Sequence, residues 1–492
     1  MTLSYIPSDT NDEGILKAAA SGSLPNGKPV IVNADGTVSV VGIQSISTAA
    51  GTPSVFDSSE SGGITCSTFD SNSNRVVVAY RDADNSGHGT ALVGTINASS
   101  NSISFGTAVI FNAANGSQFG ITFDSNVNKV VITYKDSGNS SQGTAIVGTV
   151  DPSDNSISFG SEAVFETGST SYTSPTFDSS NNKVVIAYSD AGNSDKGKAV
   201  VGTISGTDIT FGTIVQFEAG ATDNISATFD SNSNKVVIAY RDNGNSAYGK
   251  AIVGTVSGTN ISFGTEVVFE SANSNFISAT FDSNVNKIVI AYYDGGNSGH
   301  GTAIVGTVSN TAITFGSAAV FKAASSQYTQ AVFDSSTNNV ILAYQNAFGG
   351  PGTVRTATVS GTGIGSFGTE VAFESSSTES IKLSFDSTSD RAVATYFDGG
   401  STGAATISVI QGQGSIPNLT AENYIGISTG GTYASGSNAT IKIIGNTSNE
   451  QSSLTAGQAY YVQTDGTLGT TAADPSVFAG TAISATKLLV KT

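Results

Sequence analysis

Apolar residues in this chain come in short bursts separated by turn chemistry, and the alternation recurs along most of its length. Residues 225–276 show one whole unit, ISATFDSNSNKVVIAYRDNGNSAYGKAIVGTVSGTNISFGTEVVFESANSNF. Four strand signals stand in it: ISATFD, then KVVIAY at 235–240, AIVGTV at 251–256 and ISFGTEVVF at 261–269. The segments between them, DSNSN, DNGNSAYG and SGTN, are Asn, Asp, Gly and Ser turn sequences. The second burst has no polar alternation, which predicts a strand covered on both faces. Val, Ile and Thr at the strand positions suit a pleated, half-buried surface.

The unit repeats in a fixed phase. Phe-Asp pairs at Phe69, Phe123, Phe177, Phe229, Phe281, Phe333 and Phe385 are separated by 54, 54, 52, 52, 52 and 52 residues. Copies at a period near 50 point to a propeller or a solenoid. The ends of the array choose between them. The last copy stops at SVI without its fourth strand, while an isolated TPSVFDSS at 52–59 precedes the first Phe-Asp pair. Its Phe56 is in phase with Phe111, Phe165, Phe217, Phe269, Phe321 and Phe373. An N-terminal strand that completes the last unit has a use only in a closed ring. The expected fold is all-β: a seven-bladed β-propeller of four-stranded blades closed by that strand, with a small terminal β-domain.

Three segments follow: an N-terminal arm and hairpin at 1–50, the propeller at 51–411 and a small C-terminal β-barrel or sandwich at 412–492. Residues 13–20 carry a short helix-favouring pattern. NGKPVIVNADGTVSVVG at 26–42 predicts a hairpin turning at Asp35-Gly36, and AGQAYYVQTDGTLGT at 456–470 repeats its pattern around Asp465-Gly466. That likeness favours one composite domain built from both ends.

Charge narrows the partners. With 20 basic and 38 acidic side chains the formal net charge is −18, unsuited to nucleic-acid phosphates or an anionic membrane. No apolar run is long enough to span a bilayer, and MTLSYIPSDTNDEG lacks the basic start and apolar stretch of a secretory signal. The lone Cys66 excludes an internal disulfide framework and reads as a small buried thiol.

Candidate chemistry is sparse. The Asp-x-Gly-Asn-Ser loops beginning at Asp136, Asp190, Asp242 and Asp294, with variants at Asp82 and Asp398, resemble the Asp-box hairpins of sialidase-type propellers, where the box is a turn device. Here Asp is expected to accept backbone N–H bonds while Gly supplies a positive φ; calcium ligation is the sharper alternative. Arg75 and Arg391 are expected to face Asp70 and Asp386, which leaves too few arginines for a sialidase site. Glu166, Glu218, Glu270 and Glu374 read as charges blunting an outer edge. His88 and His300 fall in a variable loop slot, and no catalytic set emerges. Recognition is expected instead in the variable connections between blades, on the same face as the Asp loops. Aromatics recur near their ends, and Phe119, Tyr172, Tyr248, Phe276 and Tyr328 are the candidate binding residues, offering apolar platforms for sugar rings beside Asn, Asp and Ser. The competing reading is that each aromatic seals the start of an inner strand.

AIVGTVSGTNISFGTEVVFES, and the end piece NLTAENYIGIS with SLTAGQAYYVQTDGTLGTTAADPSVFAGTAISATKLLVK, resemble repeat-containing virion structural proteins of marine tailed phages, cyanophages among them. The resemblance spans residues 28–492. It implies a non-enzymatic virion component, a tail fibre or adhesin that binds host-surface glycan or protein through the propeller loop face. A head or tail decoration or cement protein that touches only other virion proteins is the alternative, and a glycan depolymerase a third. The resemblance implies a homo-oligomer in the particle and offers no catalytic or cofactor-binding residues to carry over.

Overall fold

The computed structural model describes residues 14–60, 65–400 and 403–491. They form two compact units: residues 47–414, and residues up to 46 together with those from 415 onward.

The larger unit is a closed succession of antiparallel strands. In the fourth repeat, the second strand Lys235–Asp242 pairs on one side with the end of Val215–Asp230 (Phe229 opposite Val236) and on the other with Tyr248–Ser257 (Ile238 opposite Ile252). The expected fourth strand is split. Asn260–Phe263 pairs with the far half of Tyr248–Ser257, and the start of Val267–Asp282 pairs with its near half. The kink is imposed from outside the blade, because a Cβ on Gly264 would lie 1.8 Å from the carbonyl oxygen of Thr311 in the next repeat.

In the six connections between blades that are described throughout, the chain does not loop. Val109–Asp124, Ala163–Asp178, Val215–Asp230, Val267–Asp282, Ala319–Asp334 and Val371–Asp386 each run 16 residues, leaving one blade as its outer strand and entering the next as its inner strand. The variable connections are therefore extended backbone, interrupted by bulges.

The second strands are buried on both faces, as their unbroken apolar character requires. Val236, Ile238 and Tyr240 pack against Val185, Ala187 and Val201 of the preceding blade. Val237 and Ala239, on the opposite face, pack against Ile288, Ile290 and Tyr292 of the following one. Each such aliphatic contributes about 1.5–3 kcal/mol on burial, so the ring is held by blade-to-blade packing repeated at every step.

Closure follows the same plan. Ser54–Glu60 and Ala49–Ala50 pair with Ala404–Gln411 and supply the split outer strand of the last blade. Where the first and last blades meet, Thr65 and Thr395 hydroxyls lie 3.1 Å apart and Ser67 and Ser384 hydroxyls 2.9 Å apart. Among the described residues, seven sheets follow one another around the closed ring. The fold is a β-propeller.

Arg75 and Arg391 act differently from expectation. Each lies opposite its hairpin aspartate, but the Asp70 and Asp386 carboxylates are occupied by turn N–H groups. The guanidiniums reach across to the neighbouring blade instead. Arg75 donates to Asn155 Oδ1 and Pro152 O, and Arg391 to Asn101 Oδ1 and Ala98 O, at 2.5–2.8 Å.

The smaller unit interleaves both ends of the chain. Ile15–Ala19, Asn438–Lys442, Tyr424–Thr429, Pro29–Val32 and Val38–Val40 form one sheet. Thr447–Ser448, Lys487–Val490, Val477–Ser484, Ala459–Val462 and Leu468–Gly469 form another. Ile31, Tyr424 and Ile427 of the first pack with Tyr460, Val462 and Leu488 of the second. The helix expected at 13–20 is absent over its described residues. Ile15–Ala19 is a strand, because Asn438–Lys442 offers an edge on which Leu16 pairs with Ile441, a tertiary contact that outweighs local helix propensity.

Candidate binding site at the mouth of the propeller channel

The inner strands converge on the ring axis, and the six that are described throughout carry an irregularity at the same place. Register shifts fall between Ser117 and Gly120, Ser171 and Ser174, Asp223 and Ser226, Asn275 and Ser278, Gln327 and Gln330, and Glu379 and Lys382. Within these bulges Gln118, Tyr172, Asn224, Phe276, Tyr328 and Ser380 adopt φ between 48° and 56°. The left-handed region costs a non-glycine residue about 1–2 kcal/mol, and a bulge re-aims the side chain it carries. The counterpart in the first blade, Ile64, lies outside the described residues.

Neighbouring bulges hold one another in place. Gln118 Oε1 accepts from the Tyr172 N–H at 2.9 Å, and Asn224 Oδ1 accepts from the Phe276 N–H at 2.7 Å. Thr173 Oγ1 donates to Gln118 O at 2.6 Å, and Thr329 Oγ1 donates to Phe276 O. Side chains in one copy thereby support the strained backbone of the next.

These residues line a cavity of about 640 Å³ at the end of the ring that carries the Asp loops. A narrower space of about 190 Å³ continues from it along the inner strands. Tyr172 is 41% exposed, and the Phe276 and Tyr328 rings lie 4.8 Å apart at 50°. Burial raises the Tyr172 phenol pKa, with Asp223 adding to the rise and Arg241 opposing it. Burial and then Glu379 raise that of Tyr328. Arg241 is engaged by Asp223, Nε to Oδ1 at 2.6 Å, and also donates to Asn275 Oδ1.

Of the five aromatics singled out in the sequence, Tyr172, Phe276 and Tyr328 meet at the mouth. Phe119 lies one residue beyond its bulge and contributes to the wall, but its ring is 7% exposed and packs on Phe111 and Tyr134 in the blade core. There the sealing role applies. Tyr248 opens a third strand opposite Asp242 and Asn273 and does not line the cavity. Lys382, Arg241, Gln118 and Asn224 belong to the mouth and escape the sequence pattern, since polar residues in turn-rich copies carry no signal until the seven inner strands share an axis.

The Asp loops are turns whose chemistry differs from expectation. Asp136 Oδ1 accepts from the Gly138 N–H at 2.9 Å, and Asp294 Oδ1 from Gly296 and Asn297. The positive φ belongs to the serines, 54° at Ser140 and 57° at Ser298, and not to the glycines. Gly138 is needed for a close approach instead: a Cβ there would sit 2.4 Å from that of Ala114. In the last blade, Ser401 and Thr402 lie outside the described residues.

The glutamates are not edge charges. Glu166, Glu218, Glu270 and Glu374 sit between blades and accept from the hydroxyls of Tyr188, Tyr240, Tyr292 and Tyr396 at 3.0–3.2 Å. Cys66 is buried, as expected, and burial pushes its thiol up to about 12 with the Lys382 charge opposing; at neutral pH it is a protonated thiol, not a nucleophile.

No family model matches the chain, and no curated protein matches it in sequence. Among solved structures it is similar to the BP39L lectin from Burkholderia pseudomallei at 10% identity, over 73% of this chain and 100% of that one, with a TM-score of 0.53. It also matches the β-propeller domain of Cps50 (Swd1) from Myceliophteria thermophila at 9% identity, over 74% and 99% of the two chains, with a TM-score of 0.48. The likeness is one of fold.

Proposed function

We propose that this chain is a non-enzymatic structural protein of a tailed-phage particle, a tail-fibre or adhesin type component that binds host-surface glycan at the channel mouth. The smaller unit, which interleaves both chain ends, is its anchor to other virion proteins. The observation that carries the binding reading is the group of Tyr172, Phe276 and Tyr328, held on strained bulges and facing one cavity. Backbone strain that the surroundings over-determine is common at binding sites. Aromatic faces ringed by Asn, Gln, Ser and Thr suit sugars. The Burkholderia protein of like fold is a lectin, so this scaffold serves sugar binding in at least one other chain. Glycoside cleavage ordinarily requires two carboxyl groups flanking the scissile bond, and among the described residues neither channel cavity is lined by an Asp or Glu; that favours binding over hydrolysis.

Host-cell and glycan-array binding of the purified chain tests the reading. Tyr172→Asn is the informative variant, because Asn224 already holds the equivalent left-handed position and Asn tolerates that region. It should leave the melting temperature equal or higher and weaken binding by about tenfold, the loss of roughly one aromatic contact. Absence of host-cell binding, together with a particle reconstruction in which the mouth is covered by virion proteins, would replace the adhesin with the decoration role. Sugar release from host envelope would replace it with a depolymerase.

A further inference from the structure

We infer that the ligand of the mouth is an acidic saccharide, its ring against Tyr172, Phe276 and Tyr328 and its anionic substituent on Lys382. The inference rests on the glycan-binding reading above and adds the class of sugar.

Lys382 breaks the repeat where the repeat faces the channel. The equivalent inner-strand position is Cys66, Gly120, Ser174, Ser226, Ser278 and Gln330 in the other blades. Lys382 makes no hydrogen bond or ion pair among the described residues, whereas Lys198, Lys250 and Lys322 are all paired with carboxylates. Among the described residues no charge partner within the ring accounts for a lysine there.

The charge of the lining points the same way. In a chain with 38 acidic and 20 basic side chains, the charged residues that line the two channel cavities, among the described residues, are Arg241 and Lys382. Arg241 is neutralised by Asp223. Glu379 is turned to the Tyr328 phenol. Lys382 is left as an uncompensated positive charge. Its side chain is exposed to the channel, between the inner strands that line it, and the surrounding protein lowers its pKa. A ligand anion at this place would supply the counter-charge that the channel wall lacks among the described residues. Being a compact point charge on a flexible stem, the ammonium accepts a carboxylate, sulfate or phosphate without a fixed fork geometry.

The geometry separates the two contacts. Tyr172, Phe276 and Tyr328 line only the outer cavity, while Lys382 lines both it and the inner one. A sugar lying on the aromatics therefore directs its charged group inward, toward the ammonium. The outer volume of about 640 Å³ is within the range of ordinary ligand pockets.

Calorimetric titration with trigalacturonate and with neutral galactotriose tests the inference, with glucose 6-phosphate, a sulfated galactose and inorganic phosphate as further arms. Wild type should bind trigalacturonate at least about tenfold more tightly than galactotriose, the scale of one enclosed charge pair. Lys382→Gln should erase that preference, bringing trigalacturonate to about the affinity of galactotriose. Gln330 occupies the same place in the sixth blade, so an unaltered melting temperature is expected for this variant. Tyr172→Asn should weaken both sugars together. Stronger binding of the phosphate or sulfate sugar than of the uronate would retain the site and reassign its anion. Equal affinity of wild type for trigalacturonate and galactotriose would overturn the acidic preference while the adhesin reading stands, and a preference that survives Lys382→Gln would overturn the placing of the anion on Lys382. Inorganic phosphate binding as tightly as any sugar would overturn the saccharide. Binding of host cells with no affinity for any of these sugars would overturn the inference and move the adhesin to a protein receptor.

Discussion

At the scale of single residues, the glutamates between blades show how one neighbour decides a charge state. Glu218 shares its site with Asp242, Glu266 and Lys250, whose ammonium lies 3.3, 2.6 and 2.6 Å from Glu218, Asp242 and Glu266 respectively. Burial opposes its ionisation, yet the Gly220 N–H and Lys250 hold it below the ordinary glutamate range. One blade on, Thr302 stands where Lys250 was, and burial and the Asp294 charge raise Glu270. The capping role of the loop aspartates changes with it. Asp190 and Asp242, engaged by Lys198 and Lys250, make no cap bond, while Asp294 caps its own turn. Lys250→Met should destabilise the ring by about 3–5 kcal/mol, since it strands buried carboxylates, and urea unfolding would measure it. The two glutamates should titrate stability in opposite senses. Glu218, with its pKa lowered, contributes stability above the unfolded value that is lost as pH falls through the folded one. Glu270, with its pKa raised, contributes below the unfolded value and loses that contribution as pH rises through the folded one. Glu270→Gln should therefore raise the melting temperature at pH 7, with the difference vanishing near the ordinary glutamate pKa of about 4.

At the scale of elements, the repeated motif divides into parts with separate physical reasons. The Phe-Asp pair ends the inner strand, and its carboxylate closes the following turn, as at Asp230 with the Asn232 and Ser233 N–H groups. The loop glycine lets an Asp loop press against the outer strand of the blade before it. Gly138→Ala should cost about 1–3 kcal/mol through overpacking. Ala114→Gly in the same chain should recover part of that loss, because in the next repeat, where Gly168 takes that place, the nearest atom to a Cβ on Gly192 is 3.2 Å away instead of 2.4 Å; a double-mutant cycle by thermal melting would read the coupling. Strand positions and turn composition were legible along the chain because they depend on neighbours a few residues away. The bulges were not, since Gln, Tyr, Asn, Phe and Ser have no common tendency toward positive φ, and only the pairing of each inner strand on its second strand imposes it.

At the scale of the propeller as a whole, the closing strand joins the two ends of the ring. Phe56 packs edge-on against Tyr80 at 5.2 Å and against Phe105 at 6.0 Å, both in the first blade, while its own strand pairs with the last. Val55 on the same strand points outward and is 52% exposed. Phe56→Asp should therefore cost about 3 kcal/mol or more, and Val55→Asp no more than about 1 kcal/mol. Equal melting temperatures for the two variants would show that the strand is no clasp. Alternation of side chains across the strand separates these two neighbours, although both stand in the apolar burst that marked the segment in the sequence.

By itself the sequence determined the all-β fold, the repeat, the four strand signals of each blade and the split strand that closes the ring. All of these follow from hydrophobic period and turn chemistry, which act locally and recur in every copy. It also marked the aromatics from which the mouth is built. Tertiary structure alone decided which of them meet, leaving Phe119 in the core and Tyr248 outside the cavity while Tyr172, Phe276 and Tyr328 face the axis. It alone turned the glutamates inward and Arg75 and Arg391 sideways, and it alone isolated Lys382. The reason is convergence: positions some 52 residues apart in the chain become neighbours around one channel, and a residue's chemistry there depends on partners that no local pattern contains.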